Sequence, residues 1–186
     1  MNSFNTGQQL DAEVTPLIGG IKWRDGVDVD QIIGAVVDDL KDRGVRVAGV
    51  IQRSGRADPV LCQGVNVEFI GSDELLSISQ ELGPDATGCS LDPNRLAHVA
   101  GLLSETLEKG TDLLIINRYG KSEANGRGLI DCANQAVMAG IPVLMAVGWK
   151  YQAKWNAYHG GLGLELEPEQ AVIADWCRAN IKSETA

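Results

Sequence analysis

The chain has 186 residues, 44% apolar and 22% charged, with a formal net charge of −9. That length and composition suit one soluble domain around a substantial core. The acidity and the lack of a basic stripe argue against a nucleic-acid partner, so any anion site must be a local positive pocket. No apolar stretch is long enough to cross a bilayer, no secretory signal opens the chain, and Cys62, Cys89, Cys132 and Cys177 form no CxxC pair. The expectation is a cytoplasmic protein with reduced thiols and neither a disulfide framework nor a zinc knuckle.

Residues 1 to 13 are polar and aperiodic and read as a flexible tail, with a single domain over 14–182. TPLIGGI (15–21) reads as a strand whose glycines imply close backbone approach or a kink. A loop follows, with Asp28 or Asp30 available as a helix cap. The next helix carries Ile32, Ile33, Val36, Val37 and Leu40 on one face and stops before Gly44. VRVAGVIQ (45–52) is a second strand, completing a βαβ unit. Between about 53 and 90, VLCQ, VNVEFIG and LLSISQEL read as a small β insertion, a meander or hairpin. Asp92-Pro93 opens a helix running to about Lys109. Strand 112–117, a helix from about 128 to 138, strand 141–147, a helical stretch 149–158, a turn at GGLGLEL and a helix 168–180 complete the chain. Four core parallel strands with interleaved helices predict an α/β, three-layer, mostly parallel architecture.

The stretch DLLIINRYGKSEANGRG (112–128) concentrates the chemistry. Its apolar run suits a strand buried on both faces, and ligands in open α/β sheets bind just past the carboxyl ends of strands. Arg118, Lys121 and Arg127 crowd there with Gly120, Gly126 and Gly128, which points to something negative; the competing reading is a surface loop of solvated charges. A phosphate loop would need a Lys-Ser/Thr pair opening the first helix. IGGIKWRDGVDVD has glycines and Lys22 but lacks that pair, and its three aspartates favour the helix dipole themselves and repel phosphate.

Strand 112–117 followed by NRYGKSE resembles the second signature of small P-loop nucleoside triphosphatases, with Asn117-Arg118 standing where an Asp-Glu pair would and with Gly120 and Glu123 in place. The whole chain, through RVAGVIQR (46–53), GCSLDP (88–93), NRYGKSEANGRG (117–128), IPVLMAV (141–147) and WNAYHGGLG (155–163), resembles a bacterial family, domain of unknown function 2478. Its members are often labelled molybdenum transporter ATP-binding proteins. The resemblance covers roughly residues 15–178. It implies a P-loop-like fold and a molybdenum- or nucleotide-related role, and supplies no reaction.

The departures bear on enzymology. In a P-loop enzyme the strand-end Asp holds magnesium; a neutral Asn117 and a cationic Arg118 remove that site. We therefore expect Arg118 and Lys121 to make charge-assisted bonds to an oxyanion, helped by Arg127 and by the amides of Gly126 to Gly128. Glu123 is expected to orient Lys121 or Arg118 rather than to act as a base. The resemblance makes His159 a pocket candidate, against the commoner structural role of a lone His. Cys89, in a turn before a helix, suits a reactive or ligand thiolate, against a small half-buried residue. Cys62, Cys132 and Cys177 read as core. Trp23, Trp149 and Trp155 stand near strand ends and could stack a base or simply pack, and Lys22 and Gln52-Arg53 could line the same crevice. The expected function is binding of molybdate, tungstate, a phosphate-like oxyanion or a nucleotide with little or no hydrolysis. The alternatives are a weak nucleoside triphosphatase using Lys22 and a regulatory protein with a vestigial pocket. A homo-oligomer and a molybdenum-transport or molybdoenzyme partner are left open.

Overall fold

The computed structural model describes residues 16–52, 66–72, 74–79 and 91–182. The polar tail, VLCQ, Arg53, Cys62 and Cys89 lie outside the described residues. A seven-stranded sheet carries five α-helices among those residues: β1 (Ile18–Trp23), α1 (Val29–Asp42), β2 (Val47–Ile51), β3 (Asn66–Ile70), β4 (Glu74–Ser77), α2 (Pro93–Glu108), β5 (Leu113–Tyr119), α3 (Ile130–Met138), β6 (Val143–Gly148), α4 (Gln152–His159), β7 (Gly163–Leu166) and α5 (Gln170–Asn180). The strand order is β4-β3-β2-β5-β6-β1-β7. β1, β2, β5, β6 and β7 run parallel, and β3 and β4 add an antiparallel hairpin at one edge.

Local chemistry sets most boundaries. Asp28 caps α1, accepting from the backbone N–H of Gln31 at 3.0 Å, and Asp92 caps α2, accepting from Asn94 and Arg95, with Pro93 pre-set for the first turn. The β5 run LLII is buried on both faces: Leu114 and Ile116 pack with α2, α3 and α4, whereas Leu113 and Ile115 pack with α1 and α5. Helices on both faces therefore cover one sheet, with a hydrophobic core on each side.

The glycines of β1 have a specific use. A Cβ at Gly19 would sit 3.0 Å from the Trp176 ring, and one at Gly20 would overlap the Trp155 ring. Trp155 is fully buried. Each face of β1 thus takes one indole flat against bare backbone. GGLGLEL departs from the turn expected of it. Gly163–Leu166 is an edge strand paired in parallel with β1, Ile18 facing Gly163 and Ile21 facing Leu166. Its glycines mask a weak alternating pattern in which Leu166 alone is buried. No helix among the described residues is long and apolar enough to cross a membrane.

Overpacking a core usually costs about 1–3 kcal/mol. Gly20→Ala should fall at the upper end of that range in urea unfolding, because the obstacle is a rigid buried ring. A loss under about 0.5 kcal/mol would mean that Trp155 has room to move aside.

Candidate functional site

From β1 the chain passes through α1 on one face to β2. From β5 through β6 to β7 it travels the opposite way along the sheet, through α3 and α4 on the other face. The loops leaving the neighbours β1 and β6 therefore part to opposite faces, and a crevice opens where they separate, the usual ligand position in such sheets. The structure has a cleft of about 240 Å³ there. β1 and the turn after it supply Trp23 and Asp25, the end of β5 and the next residue supply Arg118, Tyr119 and Gly120, and the end of β6 and the turn after it supply Gly148, Trp149, Lys150 and Tyr151.

The wall of this cleft is built on an irregularity in β5. Its register against β6 shifts between Ile116 and Tyr119, so that three residue steps on β5 match two on β6, from Met145 to Val147. Such a bulge re-aims side chains. Tyr119, which strict alternation would place with Ile115, instead joins the core formed by α2, α3 and α4. Asn117 and Arg118, though consecutive, both reach one carboxylate on α1. Asn117 Nδ2 donates to Asp30 Oδ1 at 3.0 Å and Arg118 Nη2 donates to Asp30 Oδ2 at 2.6 Å. Asp30 is 5% exposed and Asn117 is also buried. The Arg118 guanidinium lies over the Trp23 indole, 4.8 Å from the ring centroid, a distance that suits a cation–π contact. Three buried polar atoms around this clasp, Trp23 Nε1, Arg118 Nε and Asn117 Oδ1, have no hydrogen-bond partner among the described residues.

The other residues singled out from the sequence separate into several places. Glu123 is buried and does not orient Lys121 or Arg118. Its Oε2 accepts from the Gly120 N–H and its Oε1 from the Leu129 N–H, both at 3.1 Å, closing the 120–129 loop on itself. Burial pushes its carboxyl above the ordinary value, and the backbone donors pull the other way. The amides of Gly126 and Arg127 donate to the carbonyls of Glu123 and Ser122 inside the same turn, so the loop's own hydrogen bonds take up these two expected anion donors. Gly128, at φ 68°, has space for no side chain, because a Cβ would collide with Glu123 Oε1. Lys121 and Arg127 are exposed. Lys22 faces the opposite edge, pairing with Glu165 at 2.9 Å and Glu167 at 3.6 Å; the hydrogen bond to Glu165 raises its pKa. His159 Nδ1 accepts from the N–H groups of Gly161 (3.1 Å) and Gly163 (2.9 Å), which fixes the end of α4 and leaves the ring proton on Nε2. Among the tryptophans, Trp23 and Trp149 line the cleft and Trp155 does not. Among the described residues no group of three or more His, Cys, Asp and Glu side chains could hold a metal ion.

The sequence reading missed Asp30 as part of the site, together with Asp25, Lys150 and Tyr151. For Asp30 a signal existed. It shares the spacing i, i+3, i+7, i+10 with Ile33, Val37 and Leu40, so it occupies the apolar stripe of its helix, where an acid needs a partner.

Comparison with known proteins adds lineage to this geometry. Residues 18–176 match the model of a protein family described as "Protein of unknown function (DUF2478)". The chain belongs to this family. It is also 36% identical over 169 residues, 90% of its own length, to the molybdenum import ATP-binding protein ModC 2 of Bradyrhizobium diazoefficiens. It spans 19% of that protein. No solved structure matches the chain. The family match runs from the first residue of β1 to Trp176 in α5, so it includes every residue of the clasp in this DUF2478 chain.

Two consequences can be measured. Removing one partner of a buried ion pair costs about 3–5 kcal/mol, and Arg118 is 37% exposed, which reduces the expected loss for Arg118→Met to about 2 kcal/mol. Asp30→Asn with Arg118→Met should lose less than the sum of the single changes; additive losses in a double-mutant cycle would rule the clasp out as a stabilising contact. For Glu123 the raised pKa means that the folded protein holds the proton more tightly than the unfolded chain. Stability should therefore rise as pH falls from neutrality through the folded pKa towards the ordinary carboxylate value. Glu123→Gln should flatten that part of the stability–pH curve, and an unchanged curve would refute the assignment.

Proposed function

We propose that this protein binds an anion, either an oxyanion such as molybdate, tungstate or phosphate or the anionic part of a nucleotide, in a degenerate P-loop-type crevice with little or no hydrolysis. Its cellular setting in this proposal is a molybdenum-related accessory role in the cytoplasm. One observation carries the reading: Asp30 at the start of the first helix and Asn117-Arg118 at the end of β5 bind each other. In a P-loop enzyme a hydroxyl on the first helix and an acid at the strand end jointly hold magnesium. Here the helix offers the carboxylate and the strand offers an amide and a guanidinium. A fixed organic cation stands between the two elements where a metal would serve. It attracts anions but cannot polarise a leaving phosphate or activate water as a metal does.

The position of the cleft at the parting of the β1 and β6 loops supports a ligand-binding use. The similarity to a protein named for molybdenum import and ATP binding supports the chemical class and the setting. Turnover through Lys22 is disfavoured because two carboxylates already hold that ammonium at the far edge of β1.

Titration calorimetry with molybdate, tungstate, phosphate and ATP tests the reading. We expect saturable binding by at least one of them that is unchanged by EDTA, and weakening of about tenfold or more in Arg118→Ala, in line with loss of a charge-assisted hydrogen bond. Arg118→Lys, which keeps the charge, should retain part of the affinity. Magnesium-dependent release of phosphate from ATP would overturn the binding-only reading, and silence from all four ligands would leave a regulatory protein with a vestigial pocket.

A further inference from the structure

The size, charge and lining of the cleft narrow the ligand further, on the premise that the crevice binds an anion. A tetrahedral oxyanion would leave much of it unfilled. One water's share of the liquid is about 30 Å³, and a four-oxygen anion fills only part of about 240 Å³. The formal charges around the cleft also cancel: Arg118 and Lys150 stand against Asp25 on the lining and Asp30 directly behind it. A small dianion would enter a nearly neutral site that offers aromatic surface instead of a ring of donors.

That aromatic surface is unusual for its exposure. Trp149 is 54% exposed on a short turn after β6, and Lys150 lies 5.5 Å from its ring centroid. Tyr151 and Trp23, the latter with Arg118 against it, add to the same aromatic lining. Indole and guanidinium faces bind flat rings with little regard to sequence or substituent. Two donors, Trp23 Nε1 and Arg118 Nε, are buried at this wall without a partner among the described residues. Both are closed to solvent, so a ligand would meet Arg118 through the part of its guanidinium that lines the cleft. Asp25, on the lining, matches a ring edge that carries N–H groups, because a carboxylate accepts hydrogen bonds and donates none.

We propose that the ligand is a flat, amino-substituted heterocycle bearing one anionic group, its ring against Trp149 and its charge near Arg118 and Lys150, rather than a free inorganic oxyanion. The ring would lie at the carboxyl ends of β1 and β6, inside the crevice.

Calorimetry on the full chain with GMP, AMP and flavin mononucleotide, set against guanosine, inorganic phosphate and molybdate, tests this. At least one phosphorylated ring should bind tenfold or more tightly than either inorganic anion and than guanosine. Trp149→Ala should bring that ligand to within about threefold of phosphate, the scale of loss expected when one stacking surface is removed. Because Trp149 is exposed, a thermal melt matching the parent protein separates lost stacking from lost folding. Asp25→Asn should weaken GMP more than flavin mononucleotide, because guanine offers a carboxylate both N1–H and an exocyclic amino group whereas the flavin ring offers N3–H alone. If phosphate or molybdate binds as tightly as the phosphorylated rings, or if Trp149→Ala leaves the ring preference intact, the heterocycle assignment fails and the anion site stands. If no probe binds, both fall.

Discussion

A carboxylate sealed from water is tolerable only if something positive or proton-donating meets it, and Asp30 imposes that condition on this fold. It lies in the apolar stripe of α1, one turn before Ile33, where desolvation is severe. The amide of Asn117 and the guanidinium of Arg118 meet it from β5, two strands away from β1 in the sheet. The contact therefore ties the helix after the first strand to the far side of the crevice. It also fixes how Arg118 presents itself: the guanidinium is held by Asp30, lies over Trp23, and lines the cleft.

The same economy of placement recurs around β1. Two indoles close on two adjacent glycines from opposite sides, so the strand carrying Trp23 to the cleft is clamped along its length. The 120–129 loop is fixed by different means. Glu123 gathers backbone donors from both ends of the loop, and Gly128 keeps the space for its carboxylate clear. A segment rich in charge and glycine is thus stiff. Gly120 at its start lines the cleft, and most of its hydrogen bonds run within the loop, with Asn125 Oδ1 also accepting from Lys154 on α4.

Much of the fold was legible because its causes are local. Asp28, Asp92-Pro93 and the LLII run announce two helix starts and a doubly buried strand, and all three sit as their chemistry requires. The hairpin of β3 and β4 follows from short β-prone pieces broken by glycine. β7 was hidden because its pairing with β1 is long-range and only one of its side chains is buried. In the site, the place of Arg118 at a strand end, on the cleft lining, could be read from the sequence. Its counterion could not, since Asp30 lies 88 residues earlier in the chain and its orientation depends on a register shift that no local pattern encodes. Glu123 was misjudged for a related reason: sequence shows which charges are neighbours along the chain, but not that backbone amides at 120 and 129 converge on a single acid.

The register shift in β5 also makes the site depend on strand length at one point. A strand ordinarily sends neighbouring side chains to opposite sides of its sheet. One extra residue places Asn117 and Arg118 on the same side and passes Tyr119 to the other. The tip of β5 is in effect out of phase with its own base. Removing that one residue would restore regular alternation, leaving Tyr119 opposite Val147 on its present side and a single side chain facing α1. A regular strand would face α1 with only one of the two side chains, so the paired grip on Asp30 is a property of chain length at one point as much as of residue choice.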